Sequence, residues 1–195
     1  MIVVKFGGTS VGSAESIQQV VKIITSDTKE KVVVLSAFSG VTNLLVTINQ
    51  EFELNRENVQ NSIIDLETRC LEVIHPLFRT STYLQAAKSF LNSKIEEIRS
   101  LVNLPFEDIL TRQIIAQGEI ISTNIFQLFL QEQSIESRLV SALDFMVLDS
   151  SEEPDANAIA LNLQSILKKQ RTSLIITQGF ICNDHLGAIR SEEHT

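Results

Sequence analysis

Apolar residues along this chain follow two alternating regimes. Short β-branched runs at Ile2–Lys5, Lys31–Leu35 and Ser173–Thr177, with a fourth candidate at Ser137–Ser141, read as strands buried in a sheet. Between them the period becomes helical. Ile17, Val20, Val21 and Ile24 recur at the i, i+3, i+4, i+7 positions of one helix face. Ser13 is placed as the N-cap of that helix, and Glu15 lies in its first turn, where the helix dipole favours a negative charge. From about Thr42 to Leu130 the pattern is mostly helical, with breaks expected near Gly40, around Pro76, at Asn103-Leu104-Pro105 and at Gly118. Asp155 to Lys169 forms one more amphipathic helix, with Ala156, Ile159, Ala160, Leu163 and Ile166 on its inner face. Strands alternating with helices predict an α/β fold with a mainly parallel sheet covered on both faces. No internal repeat, linker or low-complexity tract interrupts it.

The 195 residues are 44% apolar, enough for the core of one sizeable domain. With 16 basic and 24 acidic residues the formal charge is -8, which argues against a general nucleic-acid binder. Any anionic ligand must therefore be held locally. Cys70 and Cys182 are far apart, without a CxxC partner or a neighbouring histidine, so neither a disulfide framework nor a structural zinc site is expected. No run approaches the roughly 18 apolar residues of a membrane span, and the MIVVKFGG start lacks signal-peptide features. The expectation is a cytoplasmic protein with reduced thiols, no membrane or nucleic-acid partner and no resident metal.

Three stretches could carry chemistry. In KFGGTSVG, residues 5–12, a lysine and a Gly-Gly turn follow the first strand and lead into a helix. This matches neither the Walker loop, which needs Lys-Ser/Thr after its last glycine, nor G-x-G-x-x-G. Gly7 and Gly8 would let backbone N–H groups approach phosphate, and Lys5 would supply a mobile charge. A plain strand-to-helix turn with a solvated lysine fits equally well. In the second stretch, VLSAFSGVTN at 34–43, Ser36 falls at the carboxyl end of a strand and Thr42 near a helix N-terminus. That edge binds ligands in open parallel sheets, although Ser39 and Thr42 also suit capping and turn roles. In the third, Gly118 costs a helix about 1 kcal/mol relative to alanine, so it needs a reason such as close packing or ligand approach. Glu119 beside it is flanked by apolar residues, where a carboxylate needs a cation or hydrogen-bond donors. His75, His185 and His194 lack metal-ligand spacing. The acidic run Glu152-Glu153-Pro154-Asp155 reads as a loop and helix start, and Asp144 as either a turn former or a ligand-edge residue.

Together KFGGTSVG, VLSAFSGVTN, QGEIIS at 117–122 and TQGFI at 177–181 resemble the aspartate kinases of the amino acid kinase superfamily, in the same order and over nearly the whole chain. The resemblance implies a three-layer αβα sandwich and ATP-dependent phosphorylation of L-aspartate to 4-phospho-L-aspartate. That reaction opens the route to lysine, threonine, methionine and isoleucine. ATP is the implied co-substrate, with Mg2+ carried on the nucleotide. By the same resemblance Lys5, Phe6, Gly7, Gly8 and Ser10 match the phosphate loop, with Lys5 catalytic. Ser36, Thr42 and Glu119 match aspartate-contacting positions, and Phe180 matches a residue lining the substrate pocket.

The end of the chain departs from the pattern. An Arg-Gly-Gly-Ser-Asp motif, which would take the substrate's α-carboxylate, is expected after TQGFI, but the sequence runs IRSEEHT and Arg190 is no substitute. Residues 1–190 are thus expected to be the N-terminal, amino-acid-binding portion of the kinase domain, with 191–195 a non-native tail. The nucleotide half and the regulatory ACT domains are expected to be absent, the chain alone nearly inactive, and the parent a homo-oligomer. Two alternatives stand beside this. One is a kinase of the same superfamily acting on glutamate, N-acetylglutamate, carbamate or UMP, against which Thr9-Ser10 and Gly118-Glu119 favour aspartate. The other is a non-catalytic module that dimerises through an exposed sheet edge.

Overall fold

The computed structural model describes residues 1–54, 57–169 and 172–191. Four parallel strands, β1 (Ile2–Phe6), β2 (Lys31–Leu35), β3 (Arg138–Leu139) and β4 (Leu174–Gln178), form one sheet in the order β1-β2-β4-β3. The helices are α1 (Ala14–Ile24), α2 (Val41–Leu54), α3 (Val59–Leu77), α4 (Ser81–Val102), α5 (Asp108–Glu132) and α6 (Ala156–Lys169). A short antiparallel hairpin, β5 (Ile181–Asn183) and β6 (Ile189–Ser191), follows β4. This is the expected α/β fold, with helices on both faces of a parallel sheet.

Alternation along the strands sorts the core into two clusters. Val33, Leu35, Leu174 and Ile176 point into the larger one, shared with α1 to α5. Val32 and Ile175 face the smaller one, closed by Val140, Phe145, Ile181 and the inner side of α6. That second layer covers β3 and β4 but stops short of β1, where Val3 remains 68% exposed.

Local chemistry accounts for the helix that positions the glycine loop. Ser13 caps α1: its Oγ accepts from Ser16 N–H at 3.2 Å, while Ser16 Oγ accepts from Ser13 N–H at 3.0 Å. Reciprocal caps of this kind are worth about 1 kcal/mol.

Several expectations change. Gly118 does not break a helix, because α5 runs through it from Asp108 to Glu132. Pro76 lies within the last turn of α3, one residue before the helix ends at Leu77. On α6, Ile159, Leu163, Ile166 and Leu167 pack inward, whereas Ala156 and Ala160 are exposed, so its buried stripe is rotated from the expected one. Asp155 caps that helix, accepting from Asn157 and Ala158 N–H at 3.1 and 3.0 Å. The candidate strand at Ser137–Ser141 shrinks to the two residues of β3, and the β5–β6 hairpin has no counterpart in the sequence reading. Ser191 closes β6, while His194 and the rest of the expected tail lie outside the described residues.

Candidate functional site

The strands end in step. Lys5 pairs with Val34, Phe6 with Leu35, and Leu35 with Gln178. The residues that follow each strand therefore emerge side by side at the carboxyl edge of the sheet, where parallel α/β folds bind ligands. Ser36 N–H donates to the Phe6 carbonyl at 3.2 Å and Gly179 N–H to the Leu35 carbonyl at 2.8 Å, extending the ladder one step past the strands. Lys5, Ser36 and Phe180 are thus brought to one edge from positions far apart in the sequence.

The glycine loop is a single 3-10 turn, Gly8–Val11, held by Ser10 N–H donating to the Gly7 carbonyl at 2.9 Å. Its glycines differ in what surrounds them. A Cβ on Gly7 would meet nothing within 4 Å, so open space lies beside the end of β1. A Cβ on Gly8 would stand 3.1 Å from the Ala37 carbonyl, which presses this loop against the one after β2. Lys5 is exposed, on the face that α6 leaves uncovered. Its Cε would lie 3.9 Å from a Cβ built on Gly179, so its stem runs towards the turn that holds Phe180.

Glu119 approaches the same edge from α5. It is only 3% exposed, and its Oε1 accepts from Ala37 N–H at 3.0 Å. Gly118 makes that approach possible: a Cβ there would stand 3.0 Å from both Ala37 Cβ and Leu45 Cδ1. Close packing is therefore the reason for this glycine. Ser122 Oγ donates to the Ser36 carbonyl at 2.8 Å, a second tie between α5 and the loop after β2. Thr42 stands half-buried in the first turn of α2, behind Gly40 at φ +84°.

Phe180 is half-buried with φ +70°, in the left-handed region that costs a non-glycine residue roughly 1–2 kcal/mol. Ile181 N–H donates to the Gly179 carbonyl at 2.8 Å across it, closing a three-residue turn. The ring packs against the larger core cluster.

Two residues of this region were missed in the sequence. Gln178 Nε2 donates to Thr123 Oγ1 at 2.8 Å, Thr123 Oγ1 donates to the Glu119 carbonyl at 2.7 Å, and Gln178 Oε1 accepts from Ala142 N–H at 2.7 Å. This buried chain locks α5 to the end of β4. The i+4 spacing of Thr123 from Glu119 was the available signal. Gln178 lies in the TQGFI stretch, which marked the segment but not this bond.

Arg190 is already engaged. Its Nε donates to Asp184 Oδ2 at 3.1 Å and its guanidinium lies 3.4 Å from Glu152. The Ala188 N–H, with Leu186 N–H and Arg190, holds the Asp184 carboxyl below the usual aspartate range against the opposing effect of burial. Burial pushes the Cys70 thiol up to about 12. Asp144 is exposed, in a short 3-10 turn. Among the described residues no group of three or more His, Cys, Asp or Glu is placed to hold a metal ion, and no helix is long and apolar enough to cross a membrane. A cleft of about 320 Å³ between α2 and α5, lined by Val46, Asn49, Phe106, Arg112 and Ile115, includes none of the expected site residues.

The protein is an α/β fold whose parallel sheet brings Lys5 near the end of the first strand, the glycine loop behind it and the carboxylate buried beneath the second loop to one carboxyl edge, the edge at which such folds bind ligands. The chain belongs to the amino acid kinase family, which its sequence matches over residues 1–193. It is 29% identical over 195 residues to lysine-sensitive aspartokinase 3 of Escherichia coli (strain K12), covering 96% of this chain and 42% of that protein. It is 28% identical over 189 residues to an aspartokinase of Chlamydia pneumoniae, covering 95% and 40%. The structure superposes on E. coli aspartokinase III in complex with lysine and aspartate with a TM-score of 0.84 at 27% identity, over 98% of this chain and 43% of that one. Aspartate kinase from Clostridium acetobutylicum shares the fold, with a TM-score of 0.71 at 17% identity. The resemblance to aspartate kinases and the layered αβα architecture expected from sequence both hold, and the chain spans about two fifths of the length of these relatives.

Proposed function

We propose that the protein transfers the γ-phosphoryl group of ATP to the side-chain carboxylate of L-aspartate, giving 4-phospho-L-aspartate. The observation that carries this reading is the convergence of Lys5 and its glycine loop, the Ser36 and Thr42 hydroxyl positions and the buried Glu119 on one sheet edge. The relatives support the choice of substrates, since E. coli aspartokinase III has been solved in complex with aspartate and ADP.

The chemistry suits these residue types. A free aspartate side chain, with pKa ~3.9, is ionised at neutral pH and needs no general base. One carboxylate oxygen attacks the γ-phosphorus, the bond to the β–γ bridging oxygen breaks, and ADP leaves with the electron pair. No proton moves in that step, so catalysis rests on alignment and charge stabilisation. Lys5 supplies mobile positive charge, and Gly7, Gly8 and Ser10 line the approach of the phosphates at the open end of β1. Mg2+, carried on the nucleotide, would spread charge off the phosphate oxygens. Glu119, oriented by the Ala37 amide, is the charge partner of the substrate ammonium. Phe180 closes the pocket from the β4 side. Because Arg190 is committed to Asp184 and Glu152, it does not supply the cation that the substrate α-carboxylate requires. The 195-residue chain assayed alone is therefore expected to turn over slowly.

The acyl phosphate product reacts with hydroxylamine to a coloured hydroxamate, which gives a direct assay. Product is expected with ATP and L-aspartate, but not with glutamate, N-acetylglutamate, carbamate or UMP as acceptor. ADP release driven by one of those acceptors and not by aspartate would move the protein to another branch of the family.

A further inference from the structure

Arg69 lies on α3, outside every motif that marks the site. Its guanidinium nevertheless bridges the two loops that form it. Nε donates to the Ser39 carbonyl at 2.9 Å and one Nη donates to the Gly12 carbonyl at 2.7 Å, while the other Nη meets Glu72 Oε2 at 3.3 Å. Gly12 closes the glycine loop and Ser39 lies in the loop after β2, so one side chain holds a carbonyl from each. The two loops touch closely at the same point. A Cβ on Gly12 would stand 2.7 Å from Ser39 Cβ, and one on Gly40 would stand 3.8 Å from Arg69 Nε.

We infer that Arg69 is a positioning residue that sets the spacing between the glycine loop and the Ser36–Gly40 loop, and so between the phosphoryl donor and its acceptor. The argument is geometric. A planar fork presents N–H groups from separate nitrogens, in fixed directions, to two carbonyls on different segments; the three N–H donors of a lysine radiate from one freely rotating nitrogen. A bound arginine also gives up less freedom per hydrogen bond than a flexible stem, which suits a spacer. Its side chain is three-quarters buried, so these charge-assisted bonds are shielded from water and outlast an exposed contact. In-line transfer depends on sub-ångström placement of two reactants, and the loops that would carry them are joined here by one side chain. For its kinetic consequence the inference rests on the phosphoryl-transfer reading, whereas the loop tie stands without it.

The test pairs hydrogen–deuterium exchange with kinetics on the wild-type protein, Arg69→Ala and Arg69→Lys. Reporter amides are hydrogen-bonded in both loops: Ser10 in the first, Ser36, Ala37 and Val41 in and beside the second. In Arg69→Ala, exchange at all four is expected to rise tenfold or more while β2 and the body of α3 keep their protection. Arg69→Lys, which keeps the charge and stem, should fall between the two. In steady-state assays the KM values for ATP and aspartate should rise together, at least fivefold in Arg69→Ala, with partial recovery in Arg69→Lys. Unchanged exchange in both loops, or a uniform rise across the chain, overturns the inference. If Arg69→Ala fails to fold, Arg69→Lys decides: loop exchange equal to wild type overturns the positioning role. Wild-type turnover driven by another acceptor and not by aspartate would sink the proposed function, and the exchange arm would still settle whether Arg69 ties the loops.

Discussion

Lys5 and Glu119 reach the same edge of the sheet by opposite routes, and substitutions there should separate their roles. Lys5 is exposed at the end of β1 and contributes little to packing. Lys5→Ala is therefore expected to leave the melting temperature unchanged while lowering kcat by roughly 10²–10³, the usual cost of removing one preorganised charge or donor from a transition state. Unaltered turnover would remove Lys5 from the phosphate site. Glu119 is buried and bonded to the Ala37 amide, so its two obvious variants should behave differently. Glu119→Gln keeps an acceptor for that amide and removes the charge; aspartate KM should rise with stability near wild type. Glu119→Ala leaves the amide without its acceptor and should also cost about 1–3 kcal/mol in a denaturant titration. Equal stability of the two variants would mean that the Ala37 bond is dispensable. Gly7 offers a complementary case. Its φ of -76° suits any residue and its surroundings are open, so Gly7→Ala should fold normally and raise only the KM for ATP.

At the scale of elements, α5 shows how a rule about helix propensity gives way to packing. Glycine in a helix interior costs about 1 kcal/mol relative to alanine, which makes Gly118 resemble a break in the sequence. The helix continues because its neighbours need the missing Cβ: Ala37 and Leu45 occupy that space. Leu45 Cδ1 could swing aside, but Ala37 Cβ is fixed to the backbone of the loop that Glu119 holds. Gly118→Ala is therefore expected to destabilise the protein despite its better propensity, by up to about 2 kcal/mol net, since overpacking costs roughly 1–3 kcal/mol. Aspartate KM should rise with it, because the loop carrying Ser36 must shift. A thermal melt showing stabilisation would indicate that the loop yields freely. The β5–β6 hairpin escaped the sequence reading for another reason. Three-residue strands carry too little alternation to register, and the turn between them is organised by Asp184 accepting from Leu186 and Ala188 N–H at 2.9 Å each, which hydrophobic pattern cannot report.

The molecule as a whole is layered unevenly: among the described residues α1 to α5 pack against one face of the sheet, while α6, the Ala142–Phe145 turn and the hairpin cover part of the other, joined by Ala116 and Ile120 of α5. The hairpin's attachment should make stability sensitive to acid. The Asp184 carboxyl is held below its ordinary range by the Ala188 amide first, then by Leu186 and Arg190. A depressed carboxyl contributes stability that is fully present above the unfolded value of ~3.9 and is lost as pH falls through the lower folded value. Urea titrations should thus show Asp184→Asn less stable than wild type at pH 7, with the gap closing as the wild type is acidified below the ordinary aspartate range. A gap that persists in acid would assign the loss to packing and not to charge.

Much of this was open to reading in the linear order of residues. The runs at 2–5, 31–35 and 173–177 lie within a residue of β1, β2 and β4, and Ser13 caps α1 as expected, because strand burial and helix capping depend on neighbours a few positions away. The four family stretches were equally plain, since each is a local string. The sequence by itself therefore determined the fold class, the family and the residue types offered to a ligand. Tertiary structure alone decided how they meet. The in-step register that aligns Lys5, Ser36 and Phe180, the Glu119 bond to an amide 82 positions away and the Arg69 bridge between two loops all join segments with no shared local pattern. Such contacts form only once the core has packed, and which polar groups then meet depends on backbone spacings of a few tenths of an ångström.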